Sequence, residues 1–270
     1  MFNILVTLVN YHCSAEILSF VARLAELKLK SRLYIAVCDN SGEFEVAGLQ
    51  SVCGRLEFSV VSGQGNIGYL PGCIHLYEKD LWPEVEFDFL WVTNSDIRLE
   101  DDFLLVMEGA LAHCLENRKA YAPMVRLASG SRQNPLFVDR VSRAKLGLID
   151  LQSRYYVFHL VYGLFKGVKN MLFSRVGGGD RDLSAVYAAH GSSFVLPIML
   201  LRKFSRPFES FLFCEELYVA EELRRIGASF YIDSSNIVIH DEHISLSSIP
   251  SKSQVKWLND SVRWIIKNYW

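Results

Sequence analysis

Along the first half of the chain, short apolar runs alternate with stretches in which apolar residues recur every three or four positions. That alternation is the pattern of strand–helix–strand units on a largely parallel sheet. FNILVTLV reads as a first strand, and Ser14 offers a cap to a helix that keeps Ile17, Leu18, Val21, Leu24 and Leu27 at helical spacing. YIAVC predicts a second strand, stopped by the turn residues Asp39, Asn40, Ser41 and Gly42. LEFSVV predicts a third, which runs into the glycine-rich GQGNIGYLPG, with a helix from Cys73 to Lys79 beyond it. FDFLWV carries no charge after Asp88, so it is expected at the centre of the sheet, buried on both faces, and it breaks at Thr93-Asn94-Ser95-Asp96.

The last third predicts a helix over FLFCEELYVAEELRR, with Leu212, Leu217, Val219, Ala220 and Leu223 on its apolar side and Gly227 closing it. A strand-like NIVIH and a C-terminal helix from Ser251 follow. Glu221 and Arg225 lie four apart on the predicted helix, which implies a solvent-face pair contributing at most about 0.3–0.5 kcal/mol and no function.

Composition narrows the picture. The chain has 270 residues, 50% of them hydrophobic, enough for one large domain over 1–270: an N-terminal half at 1–128, a helical insertion at 129–185, a second half at 186–250 and the terminal helix at 251–270. A formal net charge of −2 lacks the basic bias of a nucleic-acid coat protein, so no nucleic-acid partner is expected. The six cysteines form no CxxC pair and mostly sit in apolar runs, which fits reduced thiols and a cytoplasmic setting. The N-terminal run lacks a signal peptide's basic start and cleavage site, and the longest uncharged stretches, Tyr155 to Phe165 and Gly191 to Leu201, are shorter than the roughly 18 residues of a membrane span. The expectation is a soluble or peripheral protein. Between Ser131 and Asp182, cations such as Arg132, Arg140 and Lys166 interleave with aromatics such as Tyr155 and Phe165, ahead of a glycine joint at Gly177 to Asp180. This texture suits contact with an anionic membrane surface; a helical insertion packing its aromatics on the core is the equal alternative.

Candidate chemistry gathers at strand ends. Asn10, Asp39, Asn66 and Asp96 follow successive strands, where open α/β sheets bind ligands, although each singly is also an ordinary turn residue. Asp96 closes a buried strand and is suited to a divalent cation, the alternative being an acid at the start of the helix pattern near Glu100. Glu215 and Glu216 are adjacent carboxylates, and mutual repulsion can leave one of them poised as a base; acids at a helix N-terminus are the bland reading. His240 ends NIVIH, with His243 three residues on, and offers either a neutral nitrogen ligand or a satisfied structural histidine. No HExxH, P-loop or GxSxG is present, and no GxGxxG follows the first strand.

Taken in order over roughly Ile4 to Ser247, these motifs resemble bacterial family 2 glycosyltransferases of the rhamnosyltransferase-like, O-antigen and capsule type. In that likeness VTLVNYH and VCDNSG correspond to nucleoside-binding strands, implying donor contacts at Val9, Asn10 and Asp39. Asn66 to Gly72 looks like the family's NxGfxxG loop, implying donor-side roles for Asn66 and Gly68. Asn94-Ser95-Asp96 is similar to the metal-binding DxD with Asn for the first acid; it puts Asn94 and Ser95 beside the donor and leaves Asp96 as principal metal ligand, with His240 completing the site. His190-Gly191-Ser192-Ser193 resembles the family's glycine loop, implying close backbone approach at Gly191. Cys214-Glu215-Glu216 resembles its acidic base motif, with Glu216 in the base position and Glu in place of the usual Asp. The resemblance implies a Rossmann-like GT-A α/β fold with a mixed, mostly parallel sheet flanked by helices. It assigns 1–128 to the nucleotide sugar and 186–250 to acceptor and catalysis. It also implies Mg2+ or Mn2+, a nucleoside-diphosphate-sugar donor with rhamnose among the candidate sugars, a glycan or polyprenyl-diphosphate-linked acceptor, and inverting transfer at the inner face of the cytoplasmic membrane. A sugar nucleotidyltransferase, which shares the crevice and the metal, and a degenerate glycan-binding scaffold are the competing readings.

Overall fold

The computed structural model describes residues 1–154, 183–241 and 251–270. Most of the basic aromatic segment, the glycine joint and His243 lie outside the described residues.

Strands β1 (Asn3–Asn10), β2 (Arg32–Asp39), β3 (Glu57–Val61), β4 (Phe89–Thr93), β5 (Ile97–Leu99), β6 (Lys119–Leu127), β7 (Ser193–Pro197) and β8 (Ser229–His240) form one eight-stranded sheet in the order β3-β2-β1-β4-β7-β6-β8-β5. The first four are mutually parallel; β7 runs antiparallel between β4 and β6, β8 is parallel to β6, and β5 is antiparallel to β8. Between them lie α1 (Ser14–Glu26), α2 (Val46–Val52), α3 (Tyr69–Glu78), α4 (Phe103–Glu116), α5 (Arg143–Ser153), α6 (Ile198–Leu201), α7 (Glu215–Arg225) and α8 (Ser251–Tyr269).

Alternation along the strands builds two cores. Ile4, Val6 and Trp91 face α1 and α4, while Leu5, Leu90 and Val92 face the layer containing α3 and α7. Trp91 anchors the first core: it stacks on Phe103 with centroids 5.7 Å apart, and its indole N–H donates to Ser193 Oγ at 2.9 Å, so its one polar atom is satisfied. Among the described residues no helix is long and apolar enough to cross a membrane.

Two local expectations are corrected. Ser14 is the first helical residue rather than the cap; Asn10 Oδ1 accepts from the Cys13 N–H at 3.1 Å and the Ser14 hydroxyl at 3.3 Å, so the strand end serves the helix start. Glu221 and Arg225 are not a solvent-face pair. Glu221 is fully buried, where it accepts from Arg140 Nε at 2.7 Å, Arg224 Nη2 at 2.8 Å and the Tyr187 hydroxyl at 2.7 Å. Arg225 instead bonds Glu222 at 3.0 Å, which also accepts from the Ser205 N–H at 2.7 Å and the Tyr269 hydroxyl at 2.8 Å. Neighbouring segments cover α7 from Leu217 to Leu223, leaving no exposed stripe there. Gly227 follows the helix at φ +69°, the left-handed turn its position implies.

Candidate active site

The chain leaves β1 toward β2 on one side and returns as β4 on the other, so the crevice outside the carboxyl ends of these strands is where a ligand is expected. Asn10 and Asp39 stand side by side there in register. Asn10 Nδ2 donates to Asp39 Oδ1 at 2.8 Å and to Ser41 Oγ at 2.9 Å. Asp39 also accepts from the N–H groups of Ser41, Gly42 and Phe44 at 3.2, 3.1 and 3.0 Å. Burial alone would raise this carboxyl, but the bonds from Phe44, Asn10, Ser41 and Gly42 outweigh it and hold the group below the usual aspartate range. Both side chains are buried and shape the turn at this end of the crevice.

The glycine-rich loop closes the neighbouring wall. Asn66 Oδ1 accepts from Asn40 Nδ2 at 3.1 Å and from the Gly68 N–H at 3.2 Å. Gly68 has φ +95° and ψ −179°, a conformation nearly restricted to glycine, and a Cβ there would lie 2.0 Å from the Phe211 carbonyl oxygen. Val9 packs at the base of this wall, where a Cβ on Gly72 would come within 3.0 Å of its Cγ2.

Asp96 and His240 meet because β5 pairs with the end of β8: Ile97 is opposite His240, and the Asp241 N–H donates to the Asp96 carbonyl at 2.9 Å. Asp96 Oδ1 lies 3.4 Å from His240 Nε2. His240 Nδ1 donates to Gln133 Oε1 at 2.9 Å, which leaves the lone pair on Nε2, beside Asp96 and 3.4 Å from Asn94 Nδ2. Asp96 Oδ1 is buried with no hydrogen-bond partner. Ser95 sits beside Cys13, with Oγ 3.9 Å from the thiol.

The Asn94 N–H donates to the Ser192 carbonyl at 2.8 Å, which ties this turn to the Gly191 loop. Glu216 leans on that loop, where a Cβ on Gly191 would fall 2.8 Å from its Oε1 and the nearby Gly191 N–H favours its ionised form. Phe213 and Cys214, both left-handed at φ +70° and +63°, lead into α7 and turn its first two residues, Glu215 and Glu216, into the cleft. Burial, then the Glu216 charge, pushes Glu215 up to about 8, and burial raises Glu216 as well. Tyr69 marks the middle of the cleft: burial, followed by the charges of Cys73, Asp96, Glu215 and Glu216, raises its hydroxyl far above the usual range.

All the residues singled out from the sequence therefore border one end of the sheet. Tyr69, Gln133 and Asn134 were not anticipated. Asn134 accepts from the His190 N–H at 2.6 Å and donates to the Pro123 carbonyl at 2.7 Å, fixing the strip beneath His190 and His240. Nothing local in QNP marks this role.

No family model matches the chain, and no curated protein matches it by sequence. Solved structures match in fold. Residues 1–349 of S. aureus TarS in complex with UDP-GlcNAc align over 99% of this chain and 67% of that one, with 13% identity and a TM-score of 0.56. Glucosyl-3-phosphoglycerate synthase from Mycobacterium tuberculosis in complex with phosphoglyceric acid aligns over 99% and 80%, with 12% identity and a TM-score of 0.51. A mycobacterial protein aligns over 98% and 74%, with 14% identity and a TM-score of 0.51. The likeness establishes the fold: a mixed α/β sheet flanked by helices, of the glycosyltransferase GT-A type.

Proposed function

We propose that the chain is a metal-dependent glycosyltransferase, which moves a sugar from a nucleoside diphosphate onto an acceptor hydroxyl. One observation carries the reading: the unpartnered, buried Asp96 Oδ1 beside His240 Nε2 and the raised carboxylate of Glu216 border the same cleft, linked through Asn94, Ser192 and Gly191. The bound UDP-GlcNAc of the S. aureus TarS structure is a donor of the proposed class.

The residues fit a divalent cation. The Asp96 carboxylate oxygen and, 3.4 Å from it, the His240 imidazole Nε2 would supply two ligands to such a cation. Among the described residues no cluster of three or more His, Cys, Asp or Glu offers a protein cage; a cation held by Asp96 and His240 would leave positions for donor phosphate oxygens and water, as Mg2+ sites usually do. When bound, such a cation neutralises charge gathering on a departing diphosphate.

The chain's own residues do the rest. Asn10, Asp39 and Val9 form the nucleoside wall, with Asn66, Gly68, Asn94, Ser95 and Gly191 along the donor. Glu216 takes the acceptor proton as the hydroxyl attacks opposite the leaving group, which inverts the anomeric centre; burial raises its carboxyl and so favours proton uptake. Rhamnose as the sugar, a glycan or polyprenyl-diphosphate-linked acceptor, a place in surface polysaccharide assembly, and contact of the insertion with the inner membrane surface complete the proposal.

A thermal-shift panel of nucleoside diphosphates and nucleotide sugars, with and without Mn2+, tests it. Selective stabilisation that requires Mn2+ is expected, along with slow release of nucleoside diphosphate from the preferred donor. Pyrophosphate release from a nucleoside triphosphate would move the reading to a nucleotidyltransferase. Mn2+-independent binding of glycan alone would move it to a scaffold.

A further inference from the structure

Residues 68 and 69 end the donor-side loop, yet both reach across the cleft to the supports of Glu216. Gly68 packs its bare Cα against the Phe211 carbonyl, on the loop that turns through Phe213 and Cys214 into α7. One residue on, the Tyr69 hydroxyl donates to the Gly191 carbonyl at 3.3 Å. The space a side chain would occupy at residue 191 is taken by the Glu216 carboxylate, whose ionised form the nearby Gly191 N–H favours. Gly191 is thus held from one side by a phenol and holds a carboxylate on the other.

We infer that Tyr69 is a positioning residue for the proposed base: its hydroxyl fixes Gly191, and through Gly191 it fixes where Glu216 sits and how readily it gives up its proton. The inference rests on the reading of Glu216 as the base. It gives the donor-side loop a second task, since the element expected to border the donor also sets the geometry of the group that activates the acceptor. The ring of Tyr69 packs against the core layer containing α3 and α7, so phenylalanine keeps that packing and removes only the hydrogen bond.

The test is a carboxyl titration of the free protein, followed by NMR with labelled glutamate. It is run in a Glu215→Gln background, which leaves Glu216 as one site rather than half of a coupled pair. Glu216→Gln identifies the signal by removing it. Of the groups that face Glu216, Tyr69 from α3 and Cys214 from the preceding loop are neutral across the range followed; His190, which precedes Gly191, is followed as a separate imidazole signal in the same titration. Loosening Gly191 weakens a bond that favours the ionised carboxylate, so Tyr69→Phe should move the Glu216 midpoint upward by about 0.4 to 1 pH unit, the size of one net hydrogen bond. An unchanged midpoint in Tyr69→Phe overturns the inference. Failure of the base reading appears elsewhere, as undiminished sugar transfer by Glu216→Gln, and is read independently of the titration.

Discussion

Gly191→Ala separates catalysis from stability. The added Cβ would sit 2.8 Å from Glu216 Oε1, 3.2 Å from Cδ and 3.3 Å from Cγ. Every clashing atom belongs to one flexible side chain, so the fold yields by swinging the Glu216 carboxylate aside rather than by shifting backbone. A displaced rotamer costs roughly 0.5–1.5 kcal/mol, and the protein should lose no more stability than that in urea denaturation. The proton acceptor, by contrast, moves by about an ångström, a misplacement that typically costs on the order of 10²-fold in rate. Turnover measured with the donor selected by thermal shift should therefore fall about 100-fold, with that donor's equilibrium affinity within about threefold of the parent, since Glu216 does not hold the donor. Transfer at the parental rate would mean that Glu216 is not the group the reaction uses. A matched loss of donor affinity would mean that Gly191 serves the donor alone.

Other outcomes follow from the same geometry. Gly68→Ala should behave oppositely, since its Cβ meets the backbone carbonyl of Phe211 at 2.0 Å and φ is +95°; a loss of about 2–5 kcal/mol in chemical denaturation is expected, and a loss below about 1 kcal/mol would show that the two loops are not pressed together. Arg140→Ala leaves the buried Glu221 with Arg224 and Tyr187 and frees the Tyr269 carbonyl, so about 1–3 kcal/mol should disappear from the same measurement, with a neutral result restoring the surface reading of α7. Stability should respond to pH with two signs. Asp39 is depressed below 3.8, so its contribution is present above that value and is lost as pH falls through the lower folded value; Asp39→Asn should flatten that acid loss. Glu215 is raised from 4.5 to about 8, so its contribution is full below 4.5 and fades as pH climbs toward about 8; Glu215→Gln should flatten that decline, and parallel curves would remove the reading of Glu215 as a buried, raised carboxyl.

Much of the molecule could be read from residue order. β1, β2 and β4 are nearly continuous apolar runs because both faces are covered, and the motif residues Asp39, Asp96, Glu216 and His240 end or follow such runs. The rest depended on partners distant in sequence. β5 is only Ile-Arg-Leu, and it is a strand because β8 lies beside it. β6 carries Pro123 in its middle, which argues against a strand until the irregularity between Pro123 and Met124 is seen to absorb it. The Tyr69 hydroxyl reaches a carbonyl 122 residues away, and Gln133 orients a histidine 107 residues away; no local periodicity encodes either contact. Glu221 and Glu222 misled for a related reason. Their polarity marks a solvent face on an isolated helix, but here arginines and tyrosines from other segments close over them.

Whether Asp96 anchors a cation for the donor while Glu216 acts only on the acceptor is decided by an equilibrium titration of the nucleoside diphosphate selected by thermal shift into the parent, Asp96→Ala and Glu216→Gln proteins with and without Mn2+. Mn2+-dependent affinity is expected in the parent, nearly the same affinity in Glu216→Gln, and loss of the Mn2+ dependence in Asp96→Ala. Asp96→Ala binding as tightly as the parent, with the same gain from Mn2+, would contradict that role for Asp96.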